Sequence, residues 1–250
     1  MSRWWKIVPP LVALALWELL AGLGWLGKTP TPVQAVRGIY ELIATGLPPG
    51  YHLQGHLLAS LARVFTGFAV AFVIAVPLGI AMGAWPLASV IVDPLVEAIR
   101  PIPPLAWAPL ALIWFGLGLA SSAFIVFLGA FFPILLNTVS GVKSVDPHLV
   151  EAARTLGARK RTILARVLVP GSMPSIITGM RIGMGIAWMT LIAAELIGVK
   201  NGYGLGYMIM TARDLARYDL LVAGMVVIGV VGFLIDWLIR LGEKRLLRWR

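Results

Sequence analysis

Cysteine is absent from the 250 residues, which excludes disulfides, thiol catalysis and cysteine-based metal sites. Charge is scarce too: Asp, Glu, Lys and Arg make up 13% of the chain, with 11 carboxylates and three histidines. No grouping of His, Asp and Glu along the sequence suits hydrolytic or metal-assisted catalysis, so the chain is read as not catalytic. What fills it instead is apolar. At 59% hydrophobic residues and a mean hydropathy of +0.89, it carries more apolar surface than a soluble domain of this length can bury. The expected class is an all-α integral membrane protein, because helices satisfy their own backbone in lipid. A net charge of +10 would suit nucleic acid, but Lys and Arg gather in a few loops and the carboxy-terminal tail. That is the pattern of membrane topology, so lipid is the expected partner and nucleic acid is not.

In chain order, Arg3 and Lys6 precede an apolar run from Ile7 to Leu26. At about 20 residues it is long enough to span, whereas signal-peptide cores run to about 15. It is read as a first helix with its amino terminus inside, and Glu18 near its middle is expected to face other helices or a cavity. Gly22 to Thr29 matches the P-loop pattern letter for letter. A membrane span precedes it and Pro30 and Pro32 follow, so the strand and phosphate-holding helix a P-loop needs are missing, and any ATP must be hydrolysed by another chain. An amphipathic helix is expected from Val33 to Ala44, then a Pro48-Pro49-Gly50 turn. His52 and His56 have the spacing of a helical ligand pair but lack a third ligand nearby, so they are read as interfacial.

The second span, Leu57 to Gly83, carries a small residue at every fourth position: Gly67, Ala71, Ala75, Gly79 and Gly83. Such a stripe admits a second helix at close range. Pro77 should kink or locally loosen it, and Arg63, near its outer end, can snorkel. Four prolines between Pro101 and Pro109 break any helix. They fit either a loop before the third span or irregular backbone at membrane depth, regular only towards Trp114. Gly116, Gly118, Ser121 and Ser122 form an outer turn before a fourth span from Ala123 to Val139. A fifth runs from Ile176 to Ile197, with Gly179 and Gly183 at close-contact spacing. Arg181 lies about 10 Å along it from Pro174 and needs a partner or a wet cavity; by depth, Asp236 is a candidate. After an Asn201–Gly206 hairpin and a helix holding Arg213, Asp214, Arg217 and Asp219, the sixth span runs from Leu220 to Ile239 into a basic tail. This topology places about 14 Lys and Arg inside against about 5 outside, with both termini cytoplasmic. The alternative, an ion-coupled secondary transporter, typically shows inverted repeats and midplane carboxylates; no repeat is evident.

One polar interval breaks this pattern, Ser144 to Pro174, with Arg154, Arg159, Lys160, Arg161 and Arg166 just past Lys143. Leu149, Val150, Ala153 and Leu156 recur at helical spacing, with Asp146 as N-cap, Pro147 at the first helical position and Gly157 as terminator. Ile163, Val167 and Leu168 mark a second helix, stopped by Pro170. Periodicity alone would also fit an amphipathic loop lying on lipid.

Glu151-Ala152-Ala153, three residues, Gly157, nine residues and Val167-Leu168-Val169-Pro170 resemble the EAA motif of ABC importer membrane subunits, with valines where Ile and Leu are usual. The resemblance implies a coupling helix docked into a separate cytoplasmic ATPase, through Glu151, Ala152, Ala153, Leu156, Gly157, Ile163, Val167 and Pro170. It extends over roughly Leu57 to Trp249. Arg100–Trp107, Trp114–Gly118, Gly141–Val145, Thr178–Gly183 and Ala193–Ile197 resemble permeases for taurine, alkanesulfonates, nitrate or bicarbonate, the taurine type most. That likeness implies residues 1–56 as a leading segment and 57–250 as a MetI-like type I importer core, with its coupling loop at 141–174. It implies a homodimer in a prokaryotic inner membrane, two ATPase subunits holding ATP and Mg, an extracytoplasmic solute-binding protein, and no cofactor on this chain. For the translocation path the candidates are Trp107, Asn137, Arg181, Trp188, Thr190 and Glu195, polar or aromatic groups that helix packing or interfacial anchoring would explain equally well.

Overall fold

The computed structural model describes residues 8–197 and 202–246. Arg3, Lys6, Ile7, Asn201 and Trp249, named above, lie outside them. The described residues form helices with no strand: α1 (Val8–Gly22), α2 (Pro32–Ala44), α3 (Leu53–Ala84), α4 (Pro86–Ile99), α5 (Ala108–Phe115), α6 (Leu119–Lys143), α7 (Pro147–Thr155), α8 (Lys160–Ile163), α9 (Val169–Ile197), α10 (Leu205–Asp214) and α11 (Tyr218–Leu246). They group into two compact units, Met1–Ser60 with Glu195–Val231, and Leu61–Ala194 with Gly232–Arg250. Neither unit is a continuous piece of chain.

Four helical stretches are long and apolar enough to cross a membrane: Leu53–Ala84, Leu119–Lys143, Lys160–Ile197 and Tyr218–Arg245. A fifth candidate is the pair Pro86–Ile99 and Pro104–Phe115, bent by 84°. Of the six spans expected, the first cannot be measured over its full length, because Ile7 and the residues before it lie outside the described ones; the described part, α1, is 15 residues and about 22 Å long. The proline-rich stretch is more helical than its composition implied. Pro86 and Pro104 sit in the first turns of their segments, where the missing N–H costs no bond. The break is confined to residues 100–103, and α5 is regular from Ala108 rather than from Trp114. Ser121 and Ser122 belong to α6, buried, each hydroxyl donating to the Gly118 carbonyl at 3.2 Å.

In the first unit, α2 opens with a capping box between Thr31 and Gln34. Glu18 accepts from the Val33 N–H at 3.4 Å, so the mid-helix carboxylate sits on a helix amino terminus, where the macrodipole favours negative charge. Gly38 lets α2 lie on α11: a Cβ there would stand 3.0 Å from Ala223 and the Asp219 carbonyl. Arg217 bridges Asp219 at 2.8 Å and Glu41 at 2.7 Å; these bonds, to Asp219 first, hold its guanidinium pKa above the ordinary value. His56 is not interfacial but has no exposed surface, its ring nitrogens 3.0 Å from the carbonyls of Gly204 and Leu47. His52 meets the Ile43 carbonyl at 3.1 Å.

In the second unit the small-residue stripe of α3 packs on α6. A Cβ on Gly67 would strike the Ala123 carbonyl and Val126, one on Gly79 would come within 2.7 Å of Thr138, and one on Gly83 within 2.5 Å of Val142. Ala71 and Ala75 are fully buried. Helix α3 is continuous through Pro77. Arg63 is 6% exposed, so it is packed inside rather than snorkelling. On its other side α6 receives α9, where Gly179 and Gly183 face Asn137 and the Ala130 carbonyl.

Candidate functional site

Helix α7 begins where the sequence places it, with the Asp146 carboxylate accepting from the His148 N–H at 2.9 Å and Pro147 at the first helical position. It ends in a Schellman turn: Gly157 donates to the Arg154 carbonyl at 2.9 Å and Ala158 to the Ala153 carbonyl at 3.0 Å. Gly157 has φ +77° with open space around its Cα. Backbone conformation, not crowding, therefore selects glycine. No residue of α7 is buried. Leu149 is 57% and Leu156 87% exposed; Glu151, Ala152 and Gly157 are exposed and Ala153 half-buried. An apolar helix face that the chain's own fold leaves open sits among five Lys and Arg between Arg154 and Arg166.

The second helix of this loop departs from expectation. Pro170 does not stop it: α8 passes through a π turn (Leu164–Leu168) into α9 without interruption. The Val169 N–H reaches back five residues to the Leu164 carbonyl. That wider turn changes the ladder where the ring of Pro170 would meet the carbonyl four residues before it. Ile163 is buried, Val167 half-buried and Pro170 exposed. The loop and the fifth span thus form one run of 38 residues, Lys160–Ile197.

Of the six path candidates, the structure brings Arg181 and Trp188 together. Arg181 Nε donates to Asp236 Oδ1 at 3.0 Å, the partner expected from depth. Two further charges were not singled out as partners. Arg240 Nε donates to Asp236 Oδ2 at 2.7 Å, and Glu243 lies 3.9 Å from Arg181 Nη1. The four-residue spacing of Asp236 and Arg240 was the signal for the first. A cavity of about 150 Å³ lies among Arg181, Gly185, Trp188, Gly232 and Asp236, and a more open one of about 460 Å³ on the side of Thr178 and Met189. The other candidates stand apart. Asn137 and Thr190 turn their side chains onto carbonyls of their own helices, Pro133 at 2.8 Å and Ala187 at 3.0 Å, while Trp107 meets Phe124 edge-on at 6.5 Å. Glu195 is fully buried, accepting from Ser60 Oγ at 2.8 and 2.9 Å and from the Gly206 N–H at 2.9 Å. Among the described residues no group of three His, Asp or Glu could hold a metal.

Residues 75–248 match the model of the family described as binding-protein-dependent transport system inner membrane component. The chain is 46% identical over 248 residues to a putative ABC transporter permease protein of Methanocaldococcus jannaschii, covering 98% of this chain and 91% of that protein. It is 38% identical over 243 residues to the taurine transport system permease protein of Escherichia coli, covering 95% and 86%. Among solved structures, a chain of the MetNI methionine ABC transporter superposes with a TM-score of 0.64 at 23% identity, covering 77% of this chain and 93% of that one. That likeness is one of fold.

Proposed function

Because the chain belongs to the family of binding-protein-dependent transport system inner membrane components, we propose that it carries a small anion, an organosulfonate such as taurine or an alkanesulfonate first, nitrate or bicarbonate next. In this reading an extracytoplasmic binding protein delivers the solute, and two copies of the permease form the path. Two ATPase subunits, holding ATP and Mg, grip the Glu151–Leu168 loop on the cytoplasmic side. The sulfonate assignment is supported by the taurine permease relative.

The observation that carries the ATPase reading is the open face of α7. Leu156 leaves 87% of its surface exposed, and burying such a side chain contributes about 1.5–3 kcal/mol. A lipid-surface helix would also hide it; the resemblance to the EAA motif supports a protein partner instead. Since α8 runs into α9 without a break, displacing the docked loop displaces the helix that carries Arg181. ATP can bias the permease only if the ATP-bound motor prefers one placement of that loop. The test is co-purification: the ATPase should accompany the wild-type chain, and Leu156→Asp should lower its retention by at least about tenfold, the loss of one buried leucine. Transport into vesicles should then follow ATP. Uptake that follows a proton or sodium gradient and ignores ATP would overturn the importer reading in favour of a secondary transporter.

A further inference from the structure

The Arg181–Asp236 pair is built to come apart. Asp236 does not depend on Arg181 for its counter-charge, because its second oxygen holds Arg240 Nε at 2.7 Å, one turn along the same helix. A carboxylate shared by two guanidiniums can release one without becoming an unpaired charge at membrane depth. Arg181, for its part, commits Nε to Asp236 and leaves its Nη fork to Glu243 at 3.9 Å, beyond hydrogen-bond length. That planar fork fits two oxygens of one anion. The Arg181 side chain is 38% exposed, and two cavities of the second unit border it.

The smaller cavity, about 150 Å³, would hold about five waters at about 30 Å³ each, room for a solute of a few carbons and one oxyanion group. Two glycines keep it open in different ways. A Cβ on Gly232 would come within 2.9 Å of Trp188 Nε1, so that glycine lets the indole lie close against α11. A Cβ on Gly185 would meet nothing within 4 Å, so that glycine keeps space free beside the guanidinium.

Resting on the importer reading for the class of solute, we propose that Arg181 is a solute subsite of the permease itself. Its Nη fork takes the sulfonate group of a small organosulfonate in the Gly185–Trp188 cavity, while Asp236 passes to Arg240. Glu243 is the carboxylate that competes with the solute.

The test uses the permease–ATPase complex in phosphatidylcholine nanodiscs, without binding protein, titrated with ethanesulfonate by calorimetry. Saturable binding is expected, weakened at least tenfold by Arg181→Gln and tightened several-fold by Glu243→Gln. Gly185→Leu, whose new atoms enter open space, should abolish it. Two results would overturn the site: no saturable binding to a complex that retains its ATPase, or equal affinity in wild type and Arg181→Gln. Displacement of ethanesulfonate by added phosphatidylglycerol would do so as well, since it would make the site one for a lipid headgroup. Retention of the ATPase separates the two readings, because it reports on the coupling loop and not on Arg181.

Discussion

Three consecutive backbone donors at the start of α10 meet three side chains from elsewhere in the first unit. The Gly204 N–H lies 3.1 Å from His56 Nδ1, the Leu205 N–H donates to Ser60 Oγ at 2.9 Å, and the Gly206 N–H donates to Glu195 at 2.9 Å. A helix amino terminus has unsatisfied donors and a positive field, and a buried carboxylate answers both. Removing it would strand the Gly206 N–H and the Ser60 hydroxyl in a dry interior. Glu195→Ala should therefore destabilise the protein by about 2–4 kcal/mol, read as a lowered melting temperature in detergent. Glu195→Gln, which keeps an acceptor, should cost less than half as much. Equal losses would mean that volume rather than hydrogen bonding matters there. Residue types marked Glu195 as polar within an apolar run, but they could not tell a path-lining carboxylate from a helix cap. That depends on Ser60 and Gly206, which are 135 and 11 positions away.

Among the elements, the α3–α6 contact shows how a pattern becomes a contact. A stripe of small residues predicts a close partner without saying which helix it is. The structure supplies α6, with backbone so near that a Cβ on Gly67 has no room. Gly67→Ala gains about 1 kcal/mol of helix propensity, but the overlap with the Ala123 carbonyl should outweigh it, for a net loss of about 1–2 kcal/mol. Gly229→Ala is the matched control. Nothing lies within 4 Å of its added atom, so thermal unfolding should show it unchanged or up to about 1 kcal/mol more stable. Pro170 teaches the opposite lesson. A proline is a sound stop signal in an isolated helix, yet here the preceding π turn carries the helix through it. The periodicity of Ile163, Val167 and Leu168 carries no trace of a five-residue turn, because hydrogen-bond register is a property of the folded backbone.

For the whole molecule, the asymmetry of charge makes a claim about sidedness. Tyr40 on α2 is 74% and Leu156 87% exposed, and the topology drawn from Lys and Arg puts them on opposite sides of the membrane. Since the chain has no cysteine, single Tyr40→Cys and Leu156→Cys variants can be labelled without background. In intact cells an impermeant maleimide should reach position 40 and leave position 156 unmodified until the membrane is opened. Labelling of position 156 from outside would reverse the topology and remove the docking face from the ATPase.

Composition, loop charge and the spacing of one motif determined a good deal by themselves: a helical membrane protein, the stripe on α3, and a capped α7 ended by Gly157. Each of these is local chemistry, the transfer of apolar surface to lipid or the conformational preference of a few neighbouring residues. Tertiary structure decided the rest. It buried Arg63 and His56, ran α8 into α9, and brought Arg181 to both Asp236 and Glu243. Those outcomes depend on which side chains meet across helices far apart in the chain, and a charge is tolerated at membrane depth only by the partners it finds there.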